Sequence, residues 1–180
     1  MKNKKAAMEM SVGTIVTIVL LMSVLVLGIF LIQGIFKSAK GAVDLTDQQL
    51  QAEIGKLFES DAGVVIYPTS KYLKIKVGEI DQVGIGIKNI AGNTNVPTTF
   101  SYVVKQTDND CGLSEEQVTN WISLGRTDEG IPIPISGFET TRATFKIPES
   151  TPTCLADFRV EVYRGGEIYD SEYFTVEVKA

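Results

Sequence analysis

Two hydrophobic patterns divide the chain. From Val64 onward apolar residues recur at every second position. Leu73, Ile75 and Val77 alternate with Lys74, Lys76 and Gly78, and Val83, Ile85 and Ile87 alternate with Gly84, Gly86 and Lys88. Phe100, Tyr102 and Val104 repeat the pattern, as do Ala143, Phe145 and Ile147, then Phe158, Val160 and Val162, then Phe174, Val176 and Val178. Successive side chains of a strand point to opposite faces, so each run predicts a strand with one buried and one wet face. Arg164-Gly165-Gly166-Glu167 predicts a two-residue hairpin, because glycine tolerates the positive φ that such turns need. The stretch Asn89 to Asn95 has no apolar period and reads as a loop. Seven or eight short strands over residues 64–180 predict a mainly β fold, an antiparallel β-sandwich.

Upstream the pattern changes. Met10 to Phe36 is a run of 27 residues without one charged side chain. As a helix it would span about 40 Å, more than the ~30 Å hydrocarbon core of a bilayer. Lipid leaves no backbone group a water partner, so a single spanning segment must be a helix. A transmembrane helix over residues 10–36 follows, with residues 1–9 as a basic cytoplasmic end or leader. A cleaved secretory signal is the competing reading. Ala39-Lys40-Gly41 carries small residues for it, but the apolar run is nearly twice the usual ~7–15 residues.

Residues 37–63 read as a juxtamembrane neck carrying one helix. Thr46 and Gln49 form a capping box, and Leu45 and Leu50 stand at the positions of a hydrophobic staple. Asp47 suits the positive end of the helix dipole. Leu50, Ile54, Leu57 and Phe58 then recur at helical spacing, and the helix should stop by Asp61-Ala62-Gly63. The box implies a break from the membrane helix around Gly41–Leu45. About four turns are too few for a lone coiled coil, so the helix is expected on the β domain or on the membrane surface. Ser114 and Gln117 form a second capping box ahead of Trp121. Ile131-Pro132-Ile133-Pro134-Ile135 reads as an edge strand or a polyproline-like crossing, since proline cannot donate to a central ladder.

Charge sharpens this organisation. Residues 1–40 hold five lysines against Glu9, a net of +4; the whole chain is −5, so residues 41–180 carry −9. An acidic domain repels phosphate backbones, which argues against nucleic-acid binding. Lys2, Lys4, Lys5 and the amino terminus slightly outweigh Lys37 and Lys40, which favours a cytoplasmic N-terminus and an outward C-terminal domain. In that exterior location Cys111 and Cys154 are expected to pair. Such a bond would stabilise the domain by about 4 kcal/mol on the chain-entropy estimate.

The chain contains no histidine. That removes the commonest general base and most transition-metal sites. Asp108-Asn109-Asp110-Cys111-Gly112 resembles the opening of an EF-hand calcium loop, but position 12 would be Asn120 rather than Glu. Gly84-x-Gly86 is no dinucleotide signature, because neither a third glycine nor a helix follows; these glycines fit close backbone packing instead. Glu161 and Glu177 fall on outward strand positions and read as solubilising. Trp121 with Tyr67, Tyr72, Tyr163, Tyr169 and Tyr173 reads either as a carbohydrate or partner surface or as core and rim. No catalytic residue, metal site, cofactor or small-molecule substrate is expected.

Two resemblances complete the reading. Lys4-Lys5-Ala6-Ala7-Met8-Glu9-Met10-Ser11-Val12-Gly13 resembles the class III signal sequences of type IV pilins and archaeal pilin-like proteins. The resemblance implies cleavage after Ala6 or Ala7, with Glu9 as the acid that neutralises a neighbour's amine during assembly. Gly84-Ile85-Gly86-Ile87-Lys88-Asn89 and the closing Tyr173-Phe174-Thr175-Val176-Glu177-Val178 resemble CARDB-type immunoglobulin-like envelope domains. That implies adhesion, assembly or spacer duty rather than catalysis. The expected protein is a single-pass archaeal envelope protein, with the lipid bilayer as one partner and itself or another envelope protein as a second. The alternatives are a processed filament subunit and an accessory subunit that binds an envelope protein or glycan.

Overall fold

A computed structural model of the chain describes residues 13–29, 45–58, 62–90 and 98–180. The chain divides into two compact units, Met1–Lys40 and Gly41–Ala180. In the first unit residues 13–29 form a helix, α1. Its apolar side chains are exposed all round, from Ile15 at 58% to Leu21 at 68% and Leu27 at 64%. Its hydroxyls turn back on their own helix: Thr17 donates to the Gly13 and Thr14 carbonyls and Ser23 to the Val19 carbonyl. Among the described residues no helix is long and apolar enough to cross a membrane. The flanking parts of the 10–36 run lie outside the described residues, as do Ala6, Ala7, Glu9 and the expected break before Leu45.

The second unit opens with α2, Asp47–Leu57. The capping box is formed as the sequence predicts: the Gln49 amide donates to the Thr46 hydroxyl, and the Thr46 amide donates to the Gln49 side chain. Nine strands follow among the described residues: β1 Val64–Tyr67, β2 Tyr72–Lys76, β3 Ile80–Lys88, β4 Thr99–Asn109, β5 Ile122–Leu124, β6 Thr127–Pro132, β7 Phe138–Lys146, β8 Cys154–Arg164 and β9 Glu167–Lys179. A short helix, α3, Glu115–Thr119, sits behind the second capping box. The strands make two sheets, ordered β1-β3-β7-β5 and β2-β9-β8-β4-β6.

The inward positions of the alternating runs meet between the sheets. Val83, Ile85, Val104, Phe145, Phe158, Val160 and Val176 are at most 1% exposed. Phe145, Phe158 and Phe174 stack edge-on and face-on at 5.0–5.7 Å. Each such side chain adds about 1.5–3 kcal/mol of burial. Gly165 and Gly166 take φ of 62° and 89°, the left-handed pair that a two-residue hairpin uses.

One feature departs from the sequence reading. The sandwich is not wholly antiparallel, because β2 runs parallel to β9, pairing Tyr72 with Thr175 through Lys76 with Lys179. The chain leaves the first sheet after β1 and joins the edge of the second, where the last strand already runs in the same direction. Of the two readings of Ile131–Ile135, the edge strand is found for its first part: β6 lies at the sheet edge beside β4 and ends at Pro132, and Ile133 beyond it is fully buried.

α2 lies flat on the first sheet. Leu50, Ile54 and Phe58 pack with Val65, Tyr67 and Phe138 in a cluster separate from the main core. Gly84 and Gly86 make the close approach possible. A Cβ at Gly84 would stand 2.6 Å from a Leu50 methyl, and one at Gly86 would stand 2.3 Å from an Ile54 methyl. The N-terminal end of α2 is clasped by Arg142, whose guanidinium donates to the Leu45 carbonyl at 2.8 Å and pairs with Asp47 at 3.0 Å.

Candidate functional site

The second sheet has no described element over its outer face. A cluster of charged and aromatic side chains lies there, around Glu161. On β8, Arg159, Glu161 and Tyr163 alternate with the buried Phe158, Val160 and Val162, so all three share the outer face. Cross-strand register places Lys105 of β4 opposite Arg159, and Tyr173 of β9 opposite Arg159 on the other side.

Glu161 stands at an outward position yet is only 3% exposed, so it is no solubilising residue. Its neighbours cover it. Lys105 and the Tyr163 hydroxyl each donate to its Oε2 at 2.6 Å, and the Arg159 guanidinium pairs with its Oε1. Arg159 also donates to the Tyr173 hydroxyl at 3.2 Å and lies over that ring at 5.7 Å. A buried carboxylate is tolerable only with such partners. The hydrogen bonds from Lys105 and Tyr163 hold the Glu161 carboxyl below the usual range. The same bond to Glu161 raises the Lys105 ammonium. The cations remain reachable from outside, with 46% of the Lys105 side chain and 34% of the Arg159 side chain exposed.

The ladder continues toward β2. Thr175 donates to Asp157 at 2.6 Å, and Lys74 and Lys179 flank Glu177 at 3.9 and 3.6 Å. Tyr72 and Tyr163 are half-buried on this face, and Tyr173 is 52% exposed. No nucleophile and base are paired here. The arrangement is a fixed electrostatic and aromatic surface, suited to binding.

The remaining sequence candidates fall elsewhere. Cys111 and Cys154 are joined, with their Cα atoms 4.9 Å apart. The bond ties the chain just beyond β4 to the start of β8. Asp110, Cys111 and Cys154 bring three possible metal ligands within 4.8 Å, but both sulfurs are used by the disulfide. Asp110 accepts the Leu155 amide of β8 at 2.6 Å and Asn109 accepts the Cys111 amide at 3.1 Å, so side chains of the calcium-like turn bind backbone amides. Trp121 is core, 1% exposed. Tyr67 packs under α2. Tyr169 donates to the Lys88 carbonyl at 2.8 Å, and the Arg164 guanidinium lies 4.6 Å over its ring, beside an open hollow of about 280 Å³. Sequence reasoning missed the Glu161 cluster. Its legible signal was the i, i+2, i+4 spacing of Arg159, Glu161 and Tyr163; the contribution of Lys105 needs the β4–β8 register.

No family model matches the chain, and no curated protein matches it. Among solved structures it is similar to a CARDB domain from Pyrococcus furiosus, described in complex with di-metal ions, at 13% identity over 58% of this chain and 83% of that one, TM-score 0.39. It is similar to a PapD-like domain of human CEP192 at 13% identity over 66% and 85% of the two chains, TM-score 0.38. A Niemann-Pick type C2 protein from the Japanese carpenter ant matches at 12% identity over 64% and 89%, TM-score 0.40.

Proposed function

We propose that the chain is a single-pass membrane protein of the cell envelope whose sandwich faces outward and serves a structural or interaction role. The observation that carries this reading is α1, apolar on every side and exposed on every side. In water such a helix would present a continuous greasy surface, whereas in lipid that surface is matched. The uncharged run extends it in sequence to 27 residues, Met10 to Phe36. The Thr17 and Ser23 hydroxyls satisfied within the helix suit the same surroundings. The disulfide fits an oxidising exterior. Among the described residues the sandwich offers a surface rather than an assembled catalytic group, and we read its work as contact.

The test is extraction. The full chain is expected to stay with the membrane through an alkaline carbonate wash. Release of the intact chain by the wash would reject a spanning helix. The pilin-like alternative rests on the basic leader, the alanines and Glu9. N-terminal mass spectrometry of the mature protein separates the two: a start at Ala7 or Met8 supports a processed filament subunit, while retention of Lys4 and Lys5 leaves the anchored sandwich.

A further inference from the structure

α2 is held on the sandwich by contacts of its own. Leu50, Ile54 and Phe58 pack with Val65 on the outer side of the first sheet, while the main core lies between the sheets, and the two hydrophobic clusters share no residue. The sheet beneath is glycine at positions 84 and 86, so the helix rests partly on bare backbone. One basic side chain fastens each end. Arg142 donates to the Leu45 carbonyl at 2.8 Å and pairs with Asp47, whose side chain is 98% exposed. The Lys88 ammonium donates to the Phe58 carbonyl at 3.3 Å and lies 5.8 Å over the Phe58 ring. Past the helix the contacts change in kind. The Gly63 and Val64 amides both donate to Asp170 at 3.0 Å, and the Gly63 carbonyl accepts the Lys88 amide at 2.8 Å. β1 then pairs with β3, and its Val64 and Ile66 belong to the main core.

We infer that α2 is a strap that leaves the first sheet as a unit while both sheets stay closed, and that it lets out chain when the N-terminal side is pulled. The source of that pull rests on the anchored reading proposed above; the release itself does not. Leu50, Ile54 and Phe58 hold a helix of 11 residues in place. The entropy lost in ordering that many residues nearly offsets the burial of so few side chains, so opening here lies well below global unfolding. A helix this short does not persist alone in water, so a released α2 melts. Its departure uncovers Val65, Tyr67 and Phe138 and leaves the cluster between the sheets intact.

Chain order brings tension to the strap first. A pull arriving from the N-terminal side of Leu45 loads the Arg142 contact, then Leu50, Ile54 and Phe58 in turn. Contacts broken one after another yield at lower force than contacts broken together. The peeling stops at Gly63 and Val64, where Asp170 and the β1–β3 ladder take the load. Residues 45–58 span about 20 Å as a helix and about 45 Å when extended, so the strap adds about 25 Å of reach without opening the core.

Release is tested by hydrogen exchange of the full chain in a neutral detergent, where anchoring plays no part. The amides from Leu50 to Leu57 are expected to exchange about a hundredfold faster than those of β3 and β8. Arg142→Met should speed the α2 amides by about tenfold more and leave β8 unchanged, and Lys88→Met should act in the same direction from the other end. Amides of α2 as protected as those of β3 overturn the inference. So do variants that speed every element alike. The letting-out of chain is tested by pulling the C-terminus of the full chain away from a membrane disc that holds it. A reversible lengthening of about 25 Å should precede rupture of the sandwich. A single rupture without that step, or a chain drawn out of the disc before it, overturns the inference. Failure of the anchored reading shows separately, as a chain that the disc does not retain at rest, and the exchange result then still decides whether α2 is a strap.

Discussion

The two sheets of the sandwich use their outward positions in opposite ways. On the first sheet the positions between Val83, Ile85 and Ile87 are glycines, and α2 lies directly on the backbone there. On the second sheet the positions between Val160 and its neighbours are Arg159, Glu161 and Tyr163, and no described element covers them. Both stretches show the same period of two in sequence. The difference is in what the outward residues can do for a surface. Glycine removes side-chain bulk and lets a helix settle on the sheet, whereas charged and aromatic residues build a wet face that must satisfy itself. Alternation shows which half of a strand is buried. The chemistry of the other half shows what, if anything, lies on it.

The largest predicted effect tests whether the sheets are separable. The disulfide closes 43 residues and fastens the β4 and β8 ends of the second sheet. Replacing both cysteines, Cys111→Ala with Cys154→Ala, should cost about 4 kcal/mol. Thermal unfolding should show a drop of many degrees. Hydrogen exchange should rise in β4 and β8 before it rises in β3 and β7. Equal loss of protection in both sheets would mean that the comparison describes surfaces only and not independent stabilities.

A second substitution strikes the first sheet. Gly86→Val would put Cβ at 2.3 Å from Ile54 and 2.9 Å from Phe58 and Val65. Overpacking of this kind costs about 1–3 kcal/mol, and here α2 should lift to relieve it. Exchange of the α2 amides would report that directly. The matching change on the open face, Ser101→Val, should stay within about 0.5 kcal/mol, since no described helix lies over the sheet there. A similar cost at both positions would erase the distinction between the covered face and the open one.

Much of this fold was legible in the sequence. Leu73, Ile75, Phe100, Phe158, Val176 and their fellows are buried at the positions that period two requires. Thr46–Gln49 and Ser114–Gln117 both form their capping boxes. Cys111 and Cys154 are joined. What failed did so for non-local reasons. The parallel β2–β9 pair joins residues a hundred positions apart, and no local pattern encodes its direction. Ile122–Leu124 is too short to show a period. Glu161 reads as solvated because a single strand says nothing about Lys105 on the next one; its burial is a property of the register.

Glu161→Gln tests that burial. The substitution keeps the shape but removes the charge that Lys105, Arg159 and Tyr163 address, at an expected cost of about 1–2 kcal/mol once solvent around the partners is allowed for. The pH dependence has a definite sign. The folded carboxyl lies below its unfolded value of about 4.3, so its contribution is complete above that pH and disappears as pH falls through the folded value. Wild-type and variant melting temperatures should therefore differ at pH 7, and the gap should narrow as the pH falls below the unfolded value of about 4.3. A constant gap across that range would mean that Glu161 contributes through packing and not through charge.

The smallest effect is expected at the other end of the same bond. Lys105→Met keeps the aliphatic stem on the sheet and removes the ammonium, whose side chain is 46% exposed. An exposed cation loses little on leaving such a pair, because water already solvates it and salt already screens it. Glu161 would keep Arg159 and Tyr163 as partners. The melting temperature should fall by clearly less than for Glu161→Gln, and 0.5 M salt should shrink the Lys105→Met deficit further while leaving most of the Glu161→Gln deficit in place. That asymmetry follows from geometry: one hydrogen bond joins a nearly inaccessible oxygen to a cation that still meets solvent, so its two ends respond differently to the same ionic strength. Equal, salt-insensitive losses would place Lys105 in the buried part of the cluster, and the open face would then be a second covered one, closed by its own side chains rather than by a helix.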